Sequence, residues 1–143
     1  MTGVFLDTDV IVDYLTDRKP FSDGAETVFA LIDNKKIKGY ASSLSFSNLY
    51  YLLSKNATHR KVITKLNDLA DFVGILKVDE DIIKAALRSA FKDFEDAIQY
   101  YTAVETKRID IIITRNIKDY KHSTLPVMAP DTFLKTYEQI ANI

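Results

Sequence analysis

The sequence predicts an α/β protein, a three-layer α/β/α sandwich around a mostly parallel central sheet. Two observations carry this expectation. Short apolar runs of strand length, Val4-Phe5-Leu6, Gly39-Tyr40-Ala41 and Ile109-Asp110-Ile111-Ile112-Ile113, alternate with longer stretches whose apolar residues recur at helical spacing. The opening run is apolar throughout, as in strands covered on both faces, and fully covered strands belong to parallel sheets. Strand–helix alternation with no repeat or low-complexity segment then implies helices on both sides of one sheet.

The first run stops at Asp7-Thr8-Asp9, and Val10, Ile11, Tyr14 and Leu15 resume at the i, i+1, i+4, i+5 spacing of a helix. Asp17-Arg18-Lys19-Pro20 reads as a loop. Ala25, Val28, Phe29, Leu31 and Ile32 mark an amphipathic helix that runs out at Asp33-Asn34-Lys35-Lys36. The second strand ends at Ser42-Ser43, either of which can cap the helix carrying Phe46, Leu49, Tyr50 and Leu53. Asn56-Ala57-Thr58 breaks that helix. Val62, Leu66, Leu69 and Ala70 mark the next, preceded by the basic cluster His59-Arg60-Lys61. A third strand is expected over Phe72–Val78, followed by a helix from Asp79. Asp93 opens a longer helix carrying Phe94, Ala97, Ile98, Tyr101, Ala103 and Val104. The strand at 109–113 ends at Thr114-Arg115-Asn116, and a polar loop leads to a short edge strand at Pro126-Val127-Met128. Pro130 then starts the last helix.

Composition narrows the function classes. A chain of 143 residues, 47% hydrophobic and 27% charged, reads as one domain spanning 1–143 with a core of its own. It contains no cysteine, which removes disulfides and thiolate metal sites. No basic segment followed by a long apolar run opens it and no stretch has membrane length, so the expectation is a cytoplasmic protein without a membrane partner. The net charge of −1 gives no global pull on nucleic acid, so a polyanion would have to be held by a local basic patch or a metal.

In a parallel sheet every strand presents its carboxyl end at the same edge, where ligands bind. Asp7-Thr8-Asp9, Ser42-Ser43 and Thr114-Arg115-Asn116 leave those ends. The helix that feeds the strand ending at Thr114 must begin near the same edge, which brings Asp93, Glu95 and Asp96 there too. Two carboxylates about 4 Å apart repel by ~4 kcal/mol at an effective dielectric of about 20. Gathering them calls for a cation or raised pKa values. Oxygen donors without cysteine point to Mg²⁺ or Mn²⁺. Helix capping offers a competing explanation, easily for Asp93 and Asp9 and less easily for Asp7 and Asp96 together. The basic stretch Lys55–Lys65 is either a solvated helix face or a phosphate contact surface.

Four segments in order resemble the PIN domain nucleases, a family that includes the VapC-type toxins of toxin–antitoxin pairs: Phe5-Leu6-Asp7-Thr8-Asp9-Val10-Ile11, Ser43-Leu44-Ser45-Phe46-Ser47-Asn48-Leu49-Tyr50, Asp93-Phe94-Glu95-Asp96-Ala97 and Ile113-Thr114-Arg115-Asn116. The resemblance implies a PIN-like sandwich whose clustered acids hold Mg²⁺ or Mn²⁺ for cleaving RNA phosphodiesters. It also implies a homodimer and, in toxin members, an antitoxin protein as partner. Asp7 matches the first family acid and Asp96 the third. The second falls on Asn48 and the fourth on Asn116, each a loss of one negative charge, with Asp93 and Asp119 near enough in sequence to compensate in part. Asp7, Asp96 and Asp93 would hold the metal, Asp9, Ser43, Thr114 and Asp119 would support the site, and Arg60, Lys61 and Arg115 would contact RNA. On this reading Asn48→Glu should strengthen metal binding.

Two other functions compete. Asp7-Thr8-Asp9-Val10 also fits the Asp-x-Asp-x-Thr/Val motif of haloacid-dehalogenase-like phosphatases, but the paired acids after a later strand are replaced by Thr114-Arg115-Asn116. The two Asn positions also fit a degenerate PIN domain that binds RNA or a protein partner without cutting.

Overall fold

The computed structural model of this protein describes residues 1–141. Five strands form one sheet: β1 (Gly3–Leu6), β2 (Lys38–Ser42), β3 (Gly74–Leu76), β4 (Ile111–Ile113) and β5 (Val127–Met128). Their spatial order is β3-β2-β1-β4-β5 and every pairing is parallel. β1 lies at the centre, with Phe5 opposite Tyr40 on one side and Ile112 on the other. Seven helices connect and follow the strands: α1 (Thr8–Leu15), α2 (Ser22–Asp33), α3 (Ser43–Leu53), α4 (His59–Phe72), α5 (Glu80–Leu87), α6 (Phe94–Glu105) and α7 (Pro130–Ala141).

Side chains alternate across a strand, so β1 feeds two cores. Val4 and Leu6 pack with Val10, Ile11, Val28, Phe29, Leu49, Leu69 and Phe133, from α1–α4 and α7. Phe5 turns to the other face and packs with Tyr100, Ala103, Ile112 and Tyr120. α5 and α6 join through Ile82, Ala86, Ala97 and Ile98. This is the predicted three-layer sandwich. No helix among the described residues is long and apolar enough to cross a membrane.

Boundaries moved where tertiary contacts overrode local pattern. Phe72 closes α4 instead of opening a strand, and β3 is a three-residue edge strand with Ile75 half exposed. The fourth strand starts at Ile111 because Asp110 is used differently. Its backbone N–H donates to the Gly3 carbonyl, and its carboxylate accepts the Gly3 N–H at 2.8 Å. The polar loop after Thr114 contains a 3-10 turn, Ile117–Tyr120, that the sequence pattern did not reveal. It seats Tyr120 in the core.

Gly3 allows this close approach, since a β-carbon there would run into the backbone carbonyl of Arg108. We expect Gly3→Ala to destabilise the fold by about 1–3 kcal/mol, the usual cost of overpacking, measured by chemical denaturation. Unchanged stability would mean that the 108–110 segment yields freely.

Candidate active site

The strand order reverses at β1, so the crevice beyond the carboxyl ends of β1 and β4 is the natural binding position in such a sheet. Asp7 leaves β1 there as the N-cap of α1, and its backbone N–H bonds the Ile113 carbonyl at the end of β4. Its carboxylate is almost fully buried and accepts three hydrogen bonds. Oδ1 takes the Thr8 N–H at 2.8 Å, and Oδ2 takes both the Thr114 hydroxyl and the Tyr120 phenol at 2.9 Å. Burial still pushes its pKa above the ordinary value, outweighing those bonds, and Glu95 adds to the rise. Burial and the adjacent Asp7 hold the Tyr120 phenol well above its usual range, so it remains a donor.

Asp9 lies one step into α1. Its Oδ2 accepts the Arg115 N–H at 3.0 Å and the Asn116 amide at 3.2 Å. Its Oδ1 is buried with no hydrogen-bond partner among the described residues. Burial first, then the charge of Asp7, raises Asp9 to about 6. On α6, Asp93 is the N-cap, its Oδ1 accepting the Asp96 N–H at 3.0 Å. Asp96 is raised to about 7, chiefly by burial and then by Asp93, Asp7, Asp119 and Glu95. The structure therefore brings Asp7, Asp9, Asp96, Asp93, Glu95 and Asp119 into one electrostatic neighbourhood.

The profile of the PIN domain family matches residues 3–118. The chain belongs to the PIN domain family. It is 23% identical over 142 residues to Ribonuclease VapC1 of Aquifex aeolicus, covering 96% of each chain. Solved structures agree in fold. A chain of VapBC-1 from nontypeable Haemophilus influenzae superposes with a TM-score of 0.67 at 18% identity, over 91% of this protein and 99% of that chain. VapBC2 from Rickettsia felis, bound to a DNA fragment from their promoter, gives 0.66 at 17% identity over 89% and 97%. VapC20 of Mycobacterium tuberculosis, described as a sarcin-ricin loop cleaving toxin, gives 0.62 at 17% identity over 82% and 95%.

The remaining candidates of this PIN domain divide by position. Asn48, on α3, donates its amide to Glu95 Oε1 at 2.7 Å, while Asn116 donates to Asp9. Asp119 lies in the 3-10 turn and lines a cleft of roughly 310 Å³ with Asp93, Asp96, Lys92, Lys118 and Lys121. Larger hollows, near Met1 and Ile37 and near Tyr14 and Asp68, lie away from the acids.

Ser43 is exposed, and the buried hydroxyls are its neighbours Ser42 and Ser45. Ser42 is the actual cap of α3, which leaves Ser43 free to face solvent. Arg60 and Lys61 are exposed in the first turn of α4, which packs on α3 and β3.

Arg115 is not a free phosphate ligand. Its Nε and Nη2 form a fork on buried Asp13 at 2.6 and 3.1 Å, and its guanidinium lies over Phe21 at 4.0 Å. Two of its donor groups are committed to holding α1 against the end of β4, a tie that the sequence pattern does not record.

Pattern reading missed Tyr120 and Gln99. Gln99 Nε2 donates to Ser45 Oγ at 2.8 Å and Thr8 Oγ1 at 3.1 Å, and those two hydroxyls lie 2.9 Å apart. This knot ties α6 and α3 to the turn carrying Asp7. A polar side chain inside the apolar stripe of α6, between Ile98 and Tyr100, was the available signal for Gln99.

The donor set suits a hard divalent cation. It consists of oxygens, several of them carboxylates that raise one another, and both Asp9 Oδ1 and Gln99 Oε1 are buried acceptors without donors. Among the described residues no three acid or imidazole side chains already converge as a cage. The fit therefore rests on donor chemistry and the orphaned acceptors.

Two outcomes follow from this geometry. Asp9 and Asp96 have folded pKa values of about 6 and about 7 against 3.8 for an ordinary aspartate. A raised folded pKa stabilises below the unfolded value and loses that contribution as pH rises through the folded one. The metal-free protein should thus melt progressively lower as pH rises from 4 to 7, and any metal-induced stabilisation should grow over the same interval. A metal-free melting temperature that rises steadily to pH 7 would contradict these assignments. Arg115→Ala leaves the buried Asp13 unpaired and should cost about 3–5 kcal/mol of stability, with Arg115→Lys recovering only part because an ammonium cannot reproduce the fork.

Proposed function

We propose that this protein is a metal-dependent endoribonuclease and the toxin of a toxin–antitoxin pair, using Mg²⁺ or Mn²⁺. The observation that carries the reading is the placing of Asp9 and Asp96 within the field of buried Asp7 at the carboxyl edge of a PIN domain, where burial raises the pKa of all three and the charge of Asp7 raises Asp9 and Asp96 further. Its likeness to a protein named as a VapC ribonuclease and to VapBC assemblies supports the same reading. A phosphatase reading draws no comparable support.

Asp7, Asp9 and Asp96 would hold the ion. When bound, a divalent cation supplies Lewis acidity, favouring ionisation of a water and neutralising charge on the scissile phosphate. The protein supplies the rest. Thr114, Tyr120 and the Thr8 N–H fix the Asp7 carboxylate, so its orientation is set before substrate arrives. Arg115 N–H and Asn116 occupy one oxygen of Asp9 and leave the other free. Asp96, with a pKa near neutrality, can hold or release a proton at its carboxyl group at the mouth of the site.

Lys92, Lys118 and Lys121 line the cleft beside Asp96 and form no ion pair among the described residues. They replace Arg115 as the groups expected to grip RNA phosphates, and they answer the need for local basic charge in a chain of net charge −1. The apolar side chains exposed on α3 and α4, Tyr51, Leu52 and Ile63, offer surface for the second copy and the antitoxin protein that toxin members use.

The test combines cleavage of a generic RNA with thermal melting in Mn²⁺. Cleavage should require the ion, stop with a chelator and fall about 100-fold or more in Asp7→Asn. Mn²⁺ should raise the melting temperature of the parent protein but not of Asp7→Asn, because the ion binds only the folded site. Melting that responds to Mn²⁺ without RNA cleavage would overturn catalysis in favour of a binding PIN domain. Hydrolysis of phosphate monoesters in place of RNA would favour the phosphatase.

A further inference from the structure

We propose that Glu95, held in place by Asn48, supplies the negative charge that the α3 position of the site lacks, so that this acid is delivered from α6 instead. The inference rests on the metal-dependent reading above. Asn48 occupies the place where the family resemblance puts an acid, yet its side chain is not idle. Its Nδ2 donates to Glu95 Oε1 at 2.7 Å, bridging two helices 47 residues apart in sequence.

A second bridge fixes the register of the first. Ser45, three residues before Asn48 on α3, bonds Gln99, four residues after Glu95 on α6. Spacings of three and four residues keep each pair on one helix face, so the two helices are pinned at two successive rungs. The inner rung, Ser45–Gln99, is buried and bonded to Thr8 beside Asp7. The outer rung, Asn48–Glu95, is solvent-accessible and lies next to Asp96 in sequence.

Glu95 is also felt by the acids of the site. Its charge contributes to raising both Asp7 and Asp96, which locates it in the same field although its side chain is largely exposed. A neutral amide donor at 48 is what this arrangement requires. A carboxylate there would face the Glu95 carboxylate across a hydrogen-bond distance and repel it. On this proposal Asn48→Glu alone does not improve the site: positions 48 and 95 should tolerate one acid and one amide, in either order.

The experiment is Mn²⁺ affinity read from thermal melting of the full chain, together with the metal-free melting temperature of each variant. Glu95→Gln keeps an acceptor for the Asn48 amide, so its metal-free melting temperature should stay close to that of the parent, while its Mn²⁺ affinity should fall about tenfold or more. Asn48→Glu should lower the metal-free melting temperature. The exchanged double variant, Asn48→Glu with Glu95→Gln, should recover affinity to within about threefold of the parent, since charge count sets affinity at oxygen sites. Asp7→Asn is the reference. If Asp7→Asn abolishes the Mn²⁺ response while Glu95→Gln leaves it unchanged, Glu95 is a surface residue and this inference falls with the metal site intact. A double variant no better than Glu95→Gln would overturn the exchange as well. If Asp7→Asn itself responds like the parent, the metal-dependent reading fails first.

Discussion

Everything at the carboxyl edge depends on one buried carboxylate. Asp7 is where β1 ends, where α1 begins and where β4 is held, because it bonds the Ile113 carbonyl through its N–H and the Thr114 hydroxyl through its side chain. An ionised aspartate in such a place is costly unless its oxygens are satisfied. The protein satisfies them with an N–H, a hydroxyl and a phenol, and burial still wins, leaving its pKa raised. A helix cap at the surface carries no such penalty, whereas Asp7 caps α1 while buried beside Asp9 and within the field of Glu95.

The donors around Asp7 show how rigidity is built without occupying the whole site. Tyr120 and Thr114 come from the segment after β4, and Gln99 and Ser45 lock α6 and α3 to the adjoining turn. Arg115 performs a parallel task one turn later in α1, where its fork on Asp13 sets the distance between that helix and the end of β4. Such surrounding contacts fix the orientation of ligating groups. Their partners all lie within the scaffold, which leaves acceptors such as Asp9 Oδ1 unused.

Most of the fold was legible in the sequence, and for a physical reason. The strand runs are short and apolar, and their ends carry polar caps, so period and punctuation agree across the chain. Asp79, Asp93, Thr58 and Ser42 all cap helices as side-chain acceptors. What escaped was information stored in non-local contacts. Tyr120 looks like one more loop aromatic until the 3-10 turn buries it against Asp7. Arg115 looks like a nucleic-acid contact until Asp13, 102 residues earlier, is found to hold it. Ser42, not Ser43, is buried because it ends β2, whose last four residues are all covered, while Ser43 opens α3 on its exposed side. Neither spacing nor composition records such pairings.

The two asparagines where the resemblance places acids follow the same electrostatic rule, and this makes their occurrence together intelligible. Each is a donor to a carboxylate already present: Asn48 to Glu95 and Asn116 to Asp9. An acid at position 116 would press against Asp9 Oδ2, whose pKa is already lifted to about 6 by burial and Asp7. At 48 it would press against Glu95. An amide at either position removes one repulsion and adds one hydrogen bond, and holding the neighbouring carboxylate in orientation is itself useful to a ligand. Each amide braces the carboxylate beside it, Glu95 on α6 and Asp9 on α1, without adding a further negative charge to this edge of the sheet.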